Sequence, residues 1–80
     1  MKVKLSPKAE KYLKRLNNPA KERIIKALVK LSKEPPEGDI KALTGRGGFR
    51  LRAGGYRIIF DHNREIIIVL EIAPRGQVYK

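Results

Sequence analysis

Polar and apolar residues alternate over Lys2-Val3-Lys4-Leu5-Ser6, the period of a short strand with one dry face. At Ser6-Pro7 the period changes. Serine followed by proline reads as an N-cap and a first helical residue, and Ala9, Tyr12, Leu13 and Leu16 recur at i, i+3, i+4 and i+7. A first helix over about residues 7 to 17 is predicted. Asn18-Pro19 repeats the cap-plus-proline signal, and Ile24, Ala27, Leu28 and Leu31 form a second apolar stripe running towards Glu34. Two short amphipathic helices therefore form a hairpin over one face of a sheet. Pro35-Pro36-Glu37-Gly38-Asp39 ends the second helix, because neither proline continues the hydrogen-bond ladder. Ile40 and Leu43 are apolar anchors in an otherwise polar loop that closes with Thr44-Gly45-Arg46-Gly47-Gly48.

Strand-type alternation resumes on both sides of Gly54-Gly55. A two-residue Gly-Gly turn accepts positive φ at both central positions, so the hairpin pairs Ala53 with Tyr56, Arg52 with Arg57, Leu51 with Ile58, Arg50 with Ile59 and Phe49 with Phe60. One face then carries Phe49, Leu51, Ile58 and Phe60, and the other carries the guanidinium groups of Arg50, Arg52 and Arg57. Asp61-His62-Asn63-Arg64 is a turn, and the β-branched run Glu65 to Ile72 is a further strand. Its register is open. A three-residue turn sets Ile66, Ile68, Leu70 and Ile72 on the core face, with Glu71 on the arginine side, and a two-residue turn swaps the sets; the first hides more apolar surface and is the expectation. The order β-α-α-β-β-β gives an α+β fold: one domain over residues 1–80, with a four-stranded, mainly antiparallel sheet and an N-terminal helical hairpin on one face. The first strand joins the sheet at a position the sequence does not specify.

With 80 residues there is one core, and function rides on the surface of one sheet. The surface is strongly basic, with 19 Lys plus Arg against 8 Asp plus Glu and a formal net charge of +11, which predicts salt-sensitive attraction to polyanions. Lysines on the helices serve solubility, but four arginines within Arg46 to Arg57, with no acid among them, are a different case. Arg52 facing Arg57 is unfavourable by a few tenths of a kcal/mol to about 1 kcal/mol, so an anion is expected there. The absence of cysteine removes disulfides, thiolate metal sites and cysteine nucleophiles, and the single histidine, His62, is a turn residue remote from the arginines. Gly45, Gly47 and Gly48 lack the Gly-Lys-Ser/Thr ending and following helix of a phosphate loop and read as a flexible entry to the hairpin. The longest apolar run, Ile66 to Leu70, is too short to span a bilayer, and a soluble, cytoplasmic protein without membrane attachment is expected.

An arginine fork matches a phosphate with two parallel charge-assisted hydrogen bonds, and converging forks favour a group whose negative charge grows during reaction. Cleavage of RNA has such a transition state. Its nucleophile is the adjacent 2′-hydroxyl, so the chemistry needs neither a metal nor a small-molecule cofactor. Proton transfer remains to be supplied. Tyr79, four residues after Arg75 and next to Lys80, offers a hydroxyl whose pKa nearby arginines would depress; the competing reading is an amphipathic residue that ties the tail to the sheet.

The stretch Gly48-Phe49-Arg50-Leu51-Arg52-Ala53-Gly54-Gly55-Tyr56-Arg57-Ile58-Ile59-Phe60, with Leu43-Thr44-Gly45 upstream and Ile72-Ala73-Pro74-Arg75-Gly76-Gln77-Val78-Tyr79-Lys80 downstream, resembles the RelE/ParE toxin superfamily, closest to its RelE branch. The hairpin motif joined to the terminal Arg-x-x-Val-Tyr carries the resemblance, which extends over nearly the whole chain. It implies a toxin of a toxin–antitoxin pair, held inactive by a RelB-like antitoxin encoded nearby and, when free, cleaving mRNA in the ribosomal A site to a 2′,3′-cyclic phosphate and a 5′-hydroxyl. Carried over residue by residue, it implies that Arg57 stabilises the transition-state phosphate and that Arg75 contacts phosphate or protonates the leaving oxygen. Arg50 occupies a basic catalytic position, and Tyr79 activates the 2′-hydroxyl or stacks on a base. Arg52 follows as an RNA contact, and Arg46 and Lys80 complete the expected RNA-binding set. Gly48 stands where the RelE branch has a further catalytic lysine, and Pro74 replaces a small or basic residue. The ParE branch offers the alternative of a gyrase inhibitor without nuclease activity; a non-catalytic RNA-binding module is a third.

Overall fold

In the computed structural model, which describes residues 1–45 and 47–74, two helices lie on one face of a five-stranded sheet. In chain order the elements are β1 (Lys2–Leu5), α1 (Pro7–Arg15), α2 (Ala20–Leu31), β2 (Asp39–Ala42), β3 (Phe49–Ala53), β4 (Tyr56–His62) and β5 (Ile66–Pro74). Across the sheet the order is β1-β5-β4-β3-β2. The α+β class and the helical hairpin agree with expectation. The strand count does not: Asp39–Ala42, read from the sequence as loop, pairs antiparallel with β3 through Ile40↔Leu51 and Lys41↔Arg50. The N-terminal strand takes the opposite edge, parallel to β5 with Lys2↔Ile66 and Lys4↔Ile68. A parallel neighbour so distant in sequence has no local turn to announce it.

Local chemistry explains where the helices start. Ser6 caps α1, its Oγ accepting from the Ala9 backbone N–H at 3.0 Å and donating to the Leu70 carbonyl at 2.9 Å, so one hydroxyl ties the helix to β5. Ser6→Ala is expected to lower unfolding free energy by about 1 kcal/mol, read as a lower urea midpoint at unchanged m-value. The second proline signal works differently. Pro19 itself is the N-cap of α2, with no side-chain hydrogen bond, and Asn18 does not cap.

The hairpin β3–β4 has the expected register at all five pairs, from Ala53↔Tyr56 to Phe49↔Phe60. Its turn uses one positive φ rather than two, at Gly54 (61°), as in turns that need glycine only at the first central position. Strand β5 departs from expectation. Phe60 faces Val69 and His62 faces Ile67, so four residues close the turn, where the Asn63 Oδ1 accepts from the backbone N–H groups of Glu65 (2.9 Å) and Ile66 (3.0 Å). Ile67 and Val69 are consequently buried, while Ile68 and Leu70 are 38% and 42% exposed. A bulge then leaves Leu70 without a cross-strand partner between Phe60↔Val69 and Ile59↔Glu71 and reverses the alternation, so Ile72 returns to the core as expected. Ala9, Ile24 and Leu31 of the helices close over Leu51, Ile58, Phe60, Ile67, Val69 and Ile72.

Candidate functional site

The face of the sheet turned away from the helices is where the hairpin register sets Arg50, Arg52, Arg57 and Ile59. Arg52 lies opposite Arg57 on one side and Asp39 on the other, and Arg50 has Lys41 as its neighbour on β2. Lys41, Arg50, Arg52 and Arg57 line an open depression of about 330 Å³ together with Ala42, Leu43 and Thr44. Four cationic side chains from three adjacent strands thus converge, held by backbone pairing rather than by loops.

Arg50 is the most confined of them. It is 7% exposed, and its Nη1 makes no hydrogen bond among the described residues. Its nearest acid is Asp39, whose Oδ2 lies 3.9 Å away on a largely exposed side chain, too far for a hydrogen bond. A buried guanidinium nitrogen left so is unfavourable, a cost that an anion seated in the depression would relieve. Arg57 is half-buried with a buried Nε, and Arg52 is exposed. Glu71, at the arginine-side register position opposite Ile59, is drawn off by Lys8, whose Nζ donates to its carboxylate at 3.3 Å. The side chains that line the depression include four cations and no acid among the described residues.

Of the residues expected at this site, Arg50, Arg52 and Arg57 come together. Arg46, Arg75, Tyr79 and Lys80 lie outside the described residues. Lys41 and Thr44 were missed; the clue was Asp39-Ile40-Lys41, an alternation too short to stand out. Tyr12 and Tyr56 pack against the core on the helix side, where burial and the proximity of Tyr56 raise the Tyr12 phenol above its ordinary value, so neither serves the arginines. His62 stacks on Phe49 with ring centroids 5.0 Å apart, at the far end of the hairpin from its Gly-Gly turn. Among the described residues no three His, Cys, Asp or Glu side chains gather as metal ligands, and no helix is long and apolar enough to cross a membrane.

Comparison with known proteins extends the picture. A family model described as the ParE toxin of type II toxin-antitoxin system, parDE, matches residues 3–79. No curated protein sequence matches the chain. Among solved structures, the archaeal RelE-RelB complex from Pyrococcus horikoshii OT3 contains a chain that superposes with a TM-score of 0.78 at 30% identity, over 95% of this chain and 96% of that one. The RelB-RelE antitoxin-toxin complex from Methanococcus jannaschii gives 0.77 at 25% identity, over 96% and 95% of the two chains. The toxin-antitoxin complex RelBE2 from Mycobacterium tuberculosis shares the fold, with a TM-score of 0.78 at 24% identity over 92% and 96%.

Proposed function

The chain belongs to the RelE/ParE superfamily, the toxins of type II toxin–antitoxin systems, and from that premise we propose that it is a metal-independent endoribonuclease that cuts mRNA in the ribosomal A site. The observation that carries this reading is the convergence of Arg50, Arg52, Arg57 and Lys41 on one open depression, with a buried Arg50 nitrogen that makes no hydrogen bond among the described residues. A scissile phosphate seated there meets guanidinium forks from neighbouring strands, and they stabilise the charge that develops as the 2′-oxygen attacks. Arg57 takes the transition-state phosphate, Arg50 supplies a fixed buried charge, and Arg52 at the exposed rim guides the RNA. Arg75 and Tyr79 are assigned leaving-group and 2′-hydroxyl contacts, with Arg46 and Lys80 on the flanking RNA. The ribosome contributes orientation: nine Lys or Arg between Lys8 and Lys33 give a basic surface for ribosomal RNA, which holds the message in reactive geometry. A RelB-like antitoxin is the inactivating partner.

The match to a ParE model favours a second reading, a gyrase inhibitor without nuclease activity. One experiment separates the two. With ribosomes from the source organism, the nuclease reading expects cuts within the A-site codon, bearing 2′,3′-cyclic phosphate ends. Intact mRNA at every toxin concentration, with double-strand DNA breaks in the presence of gyrase, would reverse the choice. RNA that is bound in a salt-dependent way and never cut would leave a binding module.

A further inference from the structure

In the depression that gathers Arg50, Arg52, Arg57 and Lys41, Thr44 differs from its neighbours in what it offers a ligand. Arginine and lysine side chains donate hydrogen bonds and accept none, and those of alanine and leucine do neither. Among the described residues that line the depression, Thr44 therefore supplies the side-chain acceptor. Its place is set by the backbone. The Leu43 N–H donates to the Gly48 carbonyl at 3.0 Å, one step beyond the Ala42↔Phe49 pair, so hydrogen bonding between β2 and β3 continues up to the residue before Thr44. Leu43 is half-buried, and the chain turns at Gly45, whose φ of 81° suits glycine. Thr44 is thus exposed between an anchored strand and a turn. Being β-branched, it has few χ1 choices, which confines its hydroxyl.

A phosphate needs donors, and the four cations provide them. A ribose 2′-hydroxyl beside that phosphate brings a proton and needs an acceptor. At about 330 Å³ the depression falls within the range of ligand pockets and is roomier than a phosphate alone requires. The scissile phosphate of RNA lies between two riboses. The upstream 2′-hydroxyl is the nucleophile, and its single proton is already assigned to Tyr79. The downstream 2′-hydroxyl has no assigned partner. We propose that Thr44 accepts a hydrogen bond from this downstream 2′-hydroxyl, an inference that rests on the endoribonuclease reading. The downstream sugar contributes only its departing 5′-oxygen to the reaction, so the chemistry by itself makes no demand for ribose there. Thr44 adds that demand. It is a specificity residue that moves no proton: both hydroxyls leave the reaction as they entered it.

The test uses two synthetic mRNAs that differ only in a 2′-deoxy sugar immediately downstream of the cut. Both keep the nucleophile, so both can be cleaved. Their rates are compared in the translation assay for the wild-type chain, Thr44→Val and Thr44→Ser. Wild type is expected to cut the deoxy message about 3–10-fold more slowly, the worth of one neutral hydrogen bond. Thr44→Val keeps the branched shape without the hydroxyl; it is expected to cut the all-ribose message slower by a similar factor and to show no difference between the two messages. Thr44→Ser is expected to restore the difference. The position is exposed, so the urea midpoint of Thr44→Val should stay near that of wild type. Any preference of the ribosome for one message acts equally on all three proteins and cancels when their ratios are compared. A ratio in Thr44→Val equal to that of wild type passes the contact to another group and overturns the assignment, with the nuclease reading intact. Equal rates on both messages with wild type do the same. Failure of the wild-type chain to cut the all-ribose message overturns both.

Discussion

Arg50→Met is expected to cut the A-site cleavage rate by about 10²–10³-fold, the range seen when one preorganised transition-state donor is removed, without lowering stability. Both halves follow from the surroundings of one side chain. The guanidinium is buried, its Nη1 makes no hydrogen bond among the described residues, Asp39 is 3.9 Å away, and Lys41 is the cross-strand neighbour. Desolvation and like charge therefore oppose folding, while only a loose ion pair helps it. Replacing buried ionic groups by apolar ones of similar size is often neutral or stabilising by about 1–4 kcal/mol, and methionine has the length and flexibility to fill the space. A higher urea midpoint beside a collapsed cleavage rate in the translation assay is the expected pair of results. Loss of more than about 2 kcal/mol of stability with cleavage intact would assign Arg50 to the fold and remove it from the chemistry. Position 50 thus separates a residue kept for reaction from one kept for packing.

The same hairpin shows what can be read from a sequence and why. Gly54-Gly55 and the alternation on either side of it are local signals that agree, so the five pairs of β3–β4 and the co-facial placement of Arg50, Arg52 and Arg57 were legible. Strand β2 was not. Its four residues offer one apolar position, Ile40, and prolines and glycines surround it, so nothing distinguishes it from loop until β3 is beside it. Lys41 and Thr44 were lost with it, and so was the outer wall of the site.

Strand β5 failed for a different reason, and it yields the second large effect: Ile67→Ala is expected to destabilise the fold by about 2–5 kcal/mol and Ile68→Ala by less than about 1 kcal/mol. The two residues are adjacent and chemically identical. Ile67 is fully buried against the helical layer, and Ile68 is 38% exposed on the opposite face. An uninterrupted alternation through Ile66, Ile68, Leu70 and Ile72 would reverse the two results. The bulge at Leu70 makes the difference: it lets Ile67 and Val69 enter the core from one parity and Ile72 from the other. Stability for 80 residues is of the order of 4–12 kcal/mol, so the Ile67 variant would approach or cross its unfolding midpoint at physiological temperature while the Ile68 variant keeps a normal transition. Parallel urea titrations at equal m-value read the difference directly. The consequence reaches the site, because the reversed parity sets Ala73 beside Arg57 on the arginine face.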